Sequence, residues 1–213
     1  MIAANRKRWF EHFLAWHLKR RFKKRFSAVR IRGLEALAEM TARGPVILAS
    51  NHTAWWDSLL VFYTSFALLR LKGFALMDAR NLRKIPLLGW IGAFGVEIGD
   101  KEDGKRVVEY AASVMNAPKV ILLTYPQGAE RPVMLPLEFK PGTARIAHAA
   151  PHALLVPTAV RYDHGKHELP EALLSFGPPV PLGATPEETN MRLQAAVAVL
   201  MSENVASVCG VKS

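Results

Sequence analysis

The sequence predicts an α/β fold, a central mixed sheet flanked by helices, entered through an N-terminal amphipathic helical arm. Three observations predict it. Short apolar runs of strand length, bounded by Gly and Pro, alternate with stretches of helical length that carry capping chemistry. The net charge of +10 falls within residues 1–32, where eleven Lys and Arg stand against one acid, Glu11. Residues 33–213 are therefore close to neutral, and a chain of 213 residues has room for one domain with a sizeable core.

The arm, residues 1–32, comes first. Trp9, Phe10, Phe13, Leu14, Trp16 and Leu18 sit between two basic clusters, and at helical periodicity they cover one broad side. Trp and Phe on one side with Lys and Arg at the ends describe a helix lying in an anionic membrane interface. The alternative is a helix that packs this side on its own domain, with the charges solvated. An RNA-binding arm is disfavoured because no recognition motif follows it, so no nucleic acid is expected as a partner. On this reading, deleting residues 1–32 should release the chain from membranes more than it unfolds the domain.

Gly33 is the expected junction. "PVILAS" (45–50) reads as a short buried strand, and residues 57–71 as a buried helix with Asp57 or Ser58 as N-cap. "GFALM" (73–77) is the next strand, and "LRKIPLLGWIGAFG" (82–95) suits a loop or a broken helix. Asp103 is the expected cap of a helix through 107–115, which Pro118 stops. "KVILLTYP" (119–126) is a strand, "TARIAHAA" (143–150) a short helix after Pro141-Gly142, and "ALLVPTAV" (153–160) another strand. Thr185, Pro186 and Glu188 form a capping box that opens a helix running to about Met201.

No secretory signal is expected, because Glu11 and His12 interrupt the apolar block after the first basic cluster. The longest uncharged apolar run, 58–69, is too short to cross a bilayer. A single cysteine, Cys209, excludes an intramolecular disulfide, fits a reducing compartment and reads as an incidental thiol. The expected location is the cytoplasmic face of the cell membrane, peripheral or monotopic.

Chemistry concentrates in two segments. In "NHTAWWD" (51–57), His52 follows a strand and Asp57 begins a helix, with a turn that lets the carboxylate reach the imidazole. An oriented His–Asp pair is what a general base requires, and no Ser or Cys nucleophile with an elbow motif stands nearby. A capping Asp beside a packed His explains the same spacing. In "TYPQGAERP" (124–132), a strand opens into Pro-x-Gly followed by Arg131, a loop suited to an anionic group. A plain turn with solvated charges is the competing reading, and Glu130 beside Arg131 supports it. "YDHGKHE" (162–168) has poor metal spacing and reads as a solvated loop. His148 and His152 are expected to cap carbonyls, and Trp55 and Trp56 to pack at the domain or lipid interface. No metal site is expected.

Taken in order, these blocks resemble the glycerophospholipid (lysophospholipid, 1-acylglycerol-3-phosphate) acyltransferases. "NHTAWWD" matches that family's Asn-His-x4-Asp block, and "YPQG" stands where the family has Phe-Pro-Glu-Gly. "ARNLRKIPLLGWIGAFG" is similar to the segment between them, "LEFKPGTARIA" to the Phe-Lys-x-Gly stretch, and "LLVPTAVRYD" to the final block. The resemblance covers roughly 33–180. It implies transfer of a fatty acyl group from acyl-CoA or acyl carrier protein to a hydroxyl of a membrane lipid, with no cofactor and no covalent enzyme intermediate. His52 would deprotonate the hydroxyl and Asp57 orient His52, with Asn51, Gln127, Gly128, Arg131, Lys140 and Lys101 binding substrate and Trp9, Phe10, Phe13 and Trp16 meeting the membrane.

The chain departs from the pattern in two places. Gln127 replaces the family's Glu, and Ala129-Glu130 replaces its Thr/Ser-Arg, with Arg131 displaced by one. "EIGDKEDG" (97–104) lacks the arginine that usually ends the second block. Those arginines are associated with the acceptor's phosphate, so the acceptor need not be lysophosphatidic acid. A different lysolipid, a glycolipid, or a catalytically silent lipid-binding role stays open.

Overall fold

The structure, a computed structural model, describes residues 1–164 and 167–209, the side chains of 207–209 excepted. Two strands with every residue buried, β2 (Val46–Ser50) and β5 (Val120–Thr124), run parallel at the middle of the sheet. Apolar on both faces, they read as continuous hydrophobic runs for that reason. β3 (Lys72–Asp78) and β4 (Ala93–Val96) extend the sheet in parallel beyond β5. On the other side β6 (Leu154–Asp163) lies parallel to β2, and β7 (Glu171–Phe176) antiparallel to β6. The far edge is β1 (Ala28–Arg32), parallel to β7. The order among the described residues is β1-β7-β6-β2-β5-β3-β4, so the expected mixed sheet is present.

Period-two alternation divides the core. Val46, Leu48, Ile121 and Leu123 face a layer built from α1 (Arg8–Arg25), α2 (Leu34–Arg43) and α3 (Trp56–Phe62). Ile47, Ala49, Val120 and Leu122 face α5 (Lys101–Val114), α6 (Gly142–Ala149) and α7 (Pro186–Cys209).

Several boundaries differ from expectation. The basic stretch 1–32 holds a helix lying on the domain and a strand within the sheet. α1 buries Glu11, Ala15, Leu18 and Phe22, while Trp9, Phe13 and Trp16 on the opposite side are more than half exposed. The six apolar residues of the arm therefore do not share one side: Leu18 turns into the core, and Leu14 packs partly against it. Ahead of the helix, Ile2 bridges Gly95 of β4, and the Asn5 and Lys7 amides donate to the Gly89 and Trp90 carbonyls. Gly33 has φ +74°, and a Cβ there would lie 2.4 Å from the Phe176 carbonyl oxygen, so only glycine fits this junction.

The helix expected over 57–71 leaves α-geometry after Phe62 and continues as a π-helical turn, residues 63–68. There the Thr64 and Ser65 hydroxyls donate back to the Leu60 and Val61 carbonyls. The 82–95 stretch holds the end of α4 (Ala79–Lys84), a 3-10 helix (Pro86–Ile91) and most of β4. Asp100, not Asp103, caps α5 by accepting from the Glu102 and Asp103 amides; Asp103 reaches back to the Glu97 amide instead. At α7 the Thr185 hydroxyl accepts from the Glu188 amide, and Glu188 closes on Ala184, one residue before the cap. Gly165 and Lys166 of the 162–168 segment, and the Cys209 thiol, lie outside the described residues.

Candidate active site

Three parallel strands end on one side of the sheet: β2 at Ser50, β5 at Thr124 and β6 beyond Thr158. Segments leaving parallel neighbours converge, which brings residues distant in sequence to one place. His52 leaves β2 and its backbone is gripped from both sides by the loop after β5. Its amide donates to Gln127 Oε1 at 2.9 Å, and its carbonyl accepts from the Arg131 amide at 2.8 Å. Asn51 ties the segment after β2 to β6: its amide nitrogen donates to the Val160 carbonyl at 2.9 Å, and its oxygen accepts from the Val160 amide at 2.8 Å. Asn51 and Gln127, expected to bind substrate, are buried and direct their side chains at the backbone.

The turn at 51–55 brings Asp57 back to His52. His52 Nδ1 lies 2.9 Å from Asp57 Oδ2, which also accepts from the Thr53 amide at 2.7 Å and the Ala54 amide at 3.0 Å. Asp57 is thus not the N-cap but sits inside the first turn of α3, reaching backwards. Its other oxygen accepts from the Tyr162 hydroxyl at 2.6 Å. The carboxylate is fully buried and surrounded by donors, so its charge is supported without a cation. A carboxylate only accepts, so Nδ1 carries the proton and Nε2 is left as the acceptor.

Tyr125 stacks on the imidazole, ring centroids 3.9 Å apart, and its hydroxyl meets Ser58 at 3.0 Å. Burial, reinforced by the negative charge of Asp57, pushes both the Tyr125 and Tyr162 phenols above their ordinary range. Both remain protonated, and Tyr162 remains a donor. On the open side, Glu130 Oε1 lies 3.8 Å from His52 Nε2. Sequence reasoning missed Tyr125 and Tyr162 as site residues and took Glu130 only as a charge beside Arg131. The one signal was for Tyr125, at the end of the strand read over 119–126; the strand read over 153–160 stopped short of Tyr162.

His52 borders a cavity of about 1230 Å³, larger than a typical small-molecule pocket. Leu59, Phe62, Phe74, Leu88, Ile91 and Ile121 supply apolar wall, and exposed Trp55, Ile85 and Ile98 mark its open side. Gly128, Glu130 and Lys140 line it; Asn51, Gln127, Arg131 and Lys101 do not. Lys101 is the first residue of α5 and exposed. Gly128 has φ +75°, and the Lys140 side chain lies directly against it. Arg80 and Arg83 line the cavity too, held by Asp78 and Glu97 respectively. Trp55 borders the cavity, whereas Trp56 packs against Phe22 and Phe26. His152 does bond a carbonyl, that of Met115, while His148 meets the Thr189 hydroxyl.

Comparison with known proteins gives one family: the model described as "Acyltransferase" matches residues 28–161. No curated protein matches. Among solved structures, the pilus retraction motor PilT with bound ADP aligns at 12% identity and a TM-score of 0.39. That alignment covers 85% of this chain, which spans 59% of the length of that structure.

Proposed function

The chain belongs to the acyltransferase family, and on that premise we propose that it moves a fatty acyl group from a thioester, acyl-CoA or acyl carrier protein, to a lipid hydroxyl, with His52 as general base. The observation that carries this reading is the pair His52 Nδ1–Asp57 Oδ2 at 2.9 Å, with Nε2 open beside an apolar cavity. In the step, Nε2 takes the hydroxyl proton as the oxygen forms its bond to the thioester carbonyl carbon. The C–S bond breaks, and the thiolate leaves with that proton. Asp57 holds the imidazole in the required tautomer and stabilises the imidazolium that forms. No residue of the chain is acylated on the way. The apolar wall suits an acyl chain, which such a wall shields from water.

A lysophospholipid-like acceptor lives in a bilayer, and the exposed Trp9, Phe13 and Trp16 give the chain a means to meet one. Lys19, Arg20, Lys23 and Lys24 on the same helix suit an anionic surface. Among the described residues no helix is long and apolar enough to cross a membrane, so the contact proposed is peripheral.

The test is transfer from acyl-CoA and from acyl carrier protein to a panel of hydroxylated lipids in mixed micelles, with products identified by mass spectrometry. A new ester lipid and one equivalent of released thiol are expected. Thiol release without an ester lipid, for every acceptor, would contradict the reading and point to hydrolysis.

A further inference from the structure

We propose that Glu130 selects the acceptor: the group next to the reacting hydroxyl is a hydrogen-bond donor, a neutral hydroxyl or an ammonium, and not a phosphate. The proposal rests on His52 acting as base at Nε2. A hydroxyl that gives its proton to Nε2 must sit about 2.6–3.2 Å from it. Glu130 Oε1 is 3.8 Å from the same nitrogen, on the side away from Asp57. A substituent on the neighbouring carbon of the acceptor therefore falls within reach of the Glu130 carboxylate. That group can only accept, so it rewards a donor and repels a phosphate.

Glu130 is not a loose surface charge that drifts near the base. The amide of the next residue, Arg131, donates to the His52 carbonyl at 2.8 Å, and Gln127 holds the His52 amide from the same loop. The backbone just after Glu130 is thus registered against His52 itself, and the loop is held a second time through the Gln127 side chain. Its side chain is 54% exposed and lines the cavity, as a group that meets substrate must. Among the described residues no Lys or Arg forms an ion pair with Glu130. Arg80 and Arg83 are paired with Asp78 and Glu97, and Lys140 lies along Gly128. Lys140 can meet an anion farther along the headgroup, and the proposal concerns only the group adjacent to the reacting hydroxyl.

The experiment compares kcat/KM of the full chain, Glu130→Gln and Glu130→Arg on three acceptors. These are lysophosphatidic acid, a monoacylated glycerol glycoside and a single-chain amino alcohol, with acyl-CoA and acyl carrier protein as donors. Wild type is expected to prefer a donor-bearing acceptor over lysophosphatidic acid by tenfold or more. E130R should shift that ratio toward lysophosphatidic acid by at least tenfold. E130Q separates the two chemistries, because its amide oxygen still accepts but carries no charge: it keeps the glycoside and loses the amino alcohol if the recognised group is an ammonium, and leaves both within a few-fold of wild type if it is a hydroxyl. Matching melting curves will show that these exposed-site variants fold. A wild-type preference for lysophosphatidic acid, or a ratio unmoved by E130R, overturns the proposal and leaves acyl transfer standing. Absence of transfer to any acceptor overturns the acyl-transfer reading and this proposal with it.

Discussion

Asp57 accepts four hydrogen bonds, and only one comes from the histidine that its sequence spacing suggests. Two backbone amides and the Tyr162 phenol supply the rest, which lets a fully buried carboxylate stay charged and fixed. The aspartate was legible because five residues with a turn between them can close on one another. Tyr162 was not, because it arrives from a strand 105 residues away and nothing local marks it. The buried phenols make a prediction with a definite sign. Tyr125 and Tyr162 hold their protons in the folded chain above the pH, about 10, at which an unfolded tyrosine loses its own. Their contribution is fully present below that pH and lost as pH rises past it, with a slope of about 1.4 kcal/mol per unit for each phenol. Denaturant unfolding between about pH 9 and 11 should show the decline, and Tyr162→Phe should flatten it. An equal slope in wild type and variant would refute the account of Tyr162.

At the scale of elements, legibility followed burial. β2 and β5 were read nearly to the residue because strands apolar on both faces cannot be mistaken for loops. β1, "AVRIR", was read as part of a basic arm because an edge strand need bury only one face, and its Arg30 and Arg32 raised the local charge. α1 was recognised as a helix, but periodicity alone did not divide its apolar residues between two sides. Its inner side fills the core through Leu18 and Phe22, and Arg20 lies over Trp16 on its outer side at 3.8 Å. Deleting residues 1–32 would therefore remove core and an edge strand together, and does not isolate a membrane arm. Replacing Trp9, Phe13 and Trp16 by Ser spares Ala15, Leu18 and Phe22, and removes a ring contact with the rest of the domain, Trp9 on Trp90. The triple variant should lose tenfold or more of its binding to anionic liposomes in sedimentation, with a melting temperature within a few degrees of wild type. Undiminished liposome binding would show that the outer side of α1 does not meet lipid.

Across the whole molecule, function follows from topology. Parallel pairing of β2 with β5 and β6 sends three chain segments out on one side, and each brings part of one site. β2 brings His52, β5 brings Tyr125 and the Gln127–Arg131 loop, and β6 brings Tyr162 and the Val160 backbone that braces Asn51. The spacing in one block, with a turn inside it, made the His52–Asp57 contact legible. Which side chains would face the cavity was not legible, because that depends on strand order. Gln127 and Arg131 thus use an amide side chain and a backbone amide to hold His52, where the sequence suggested substrate contacts. The central claim is that His52, oriented by Asp57, removes the acceptor's proton. Steady-state acyl transfer by His52→Ala, beside a wild type of matching melting temperature, tests it most directly. A fall in kcat of about 10²–10⁴-fold, with no acyl-enzyme trapped in either protein, is the predicted result. Transfer by His52→Ala at a rate within a few-fold of wild type would contradict it.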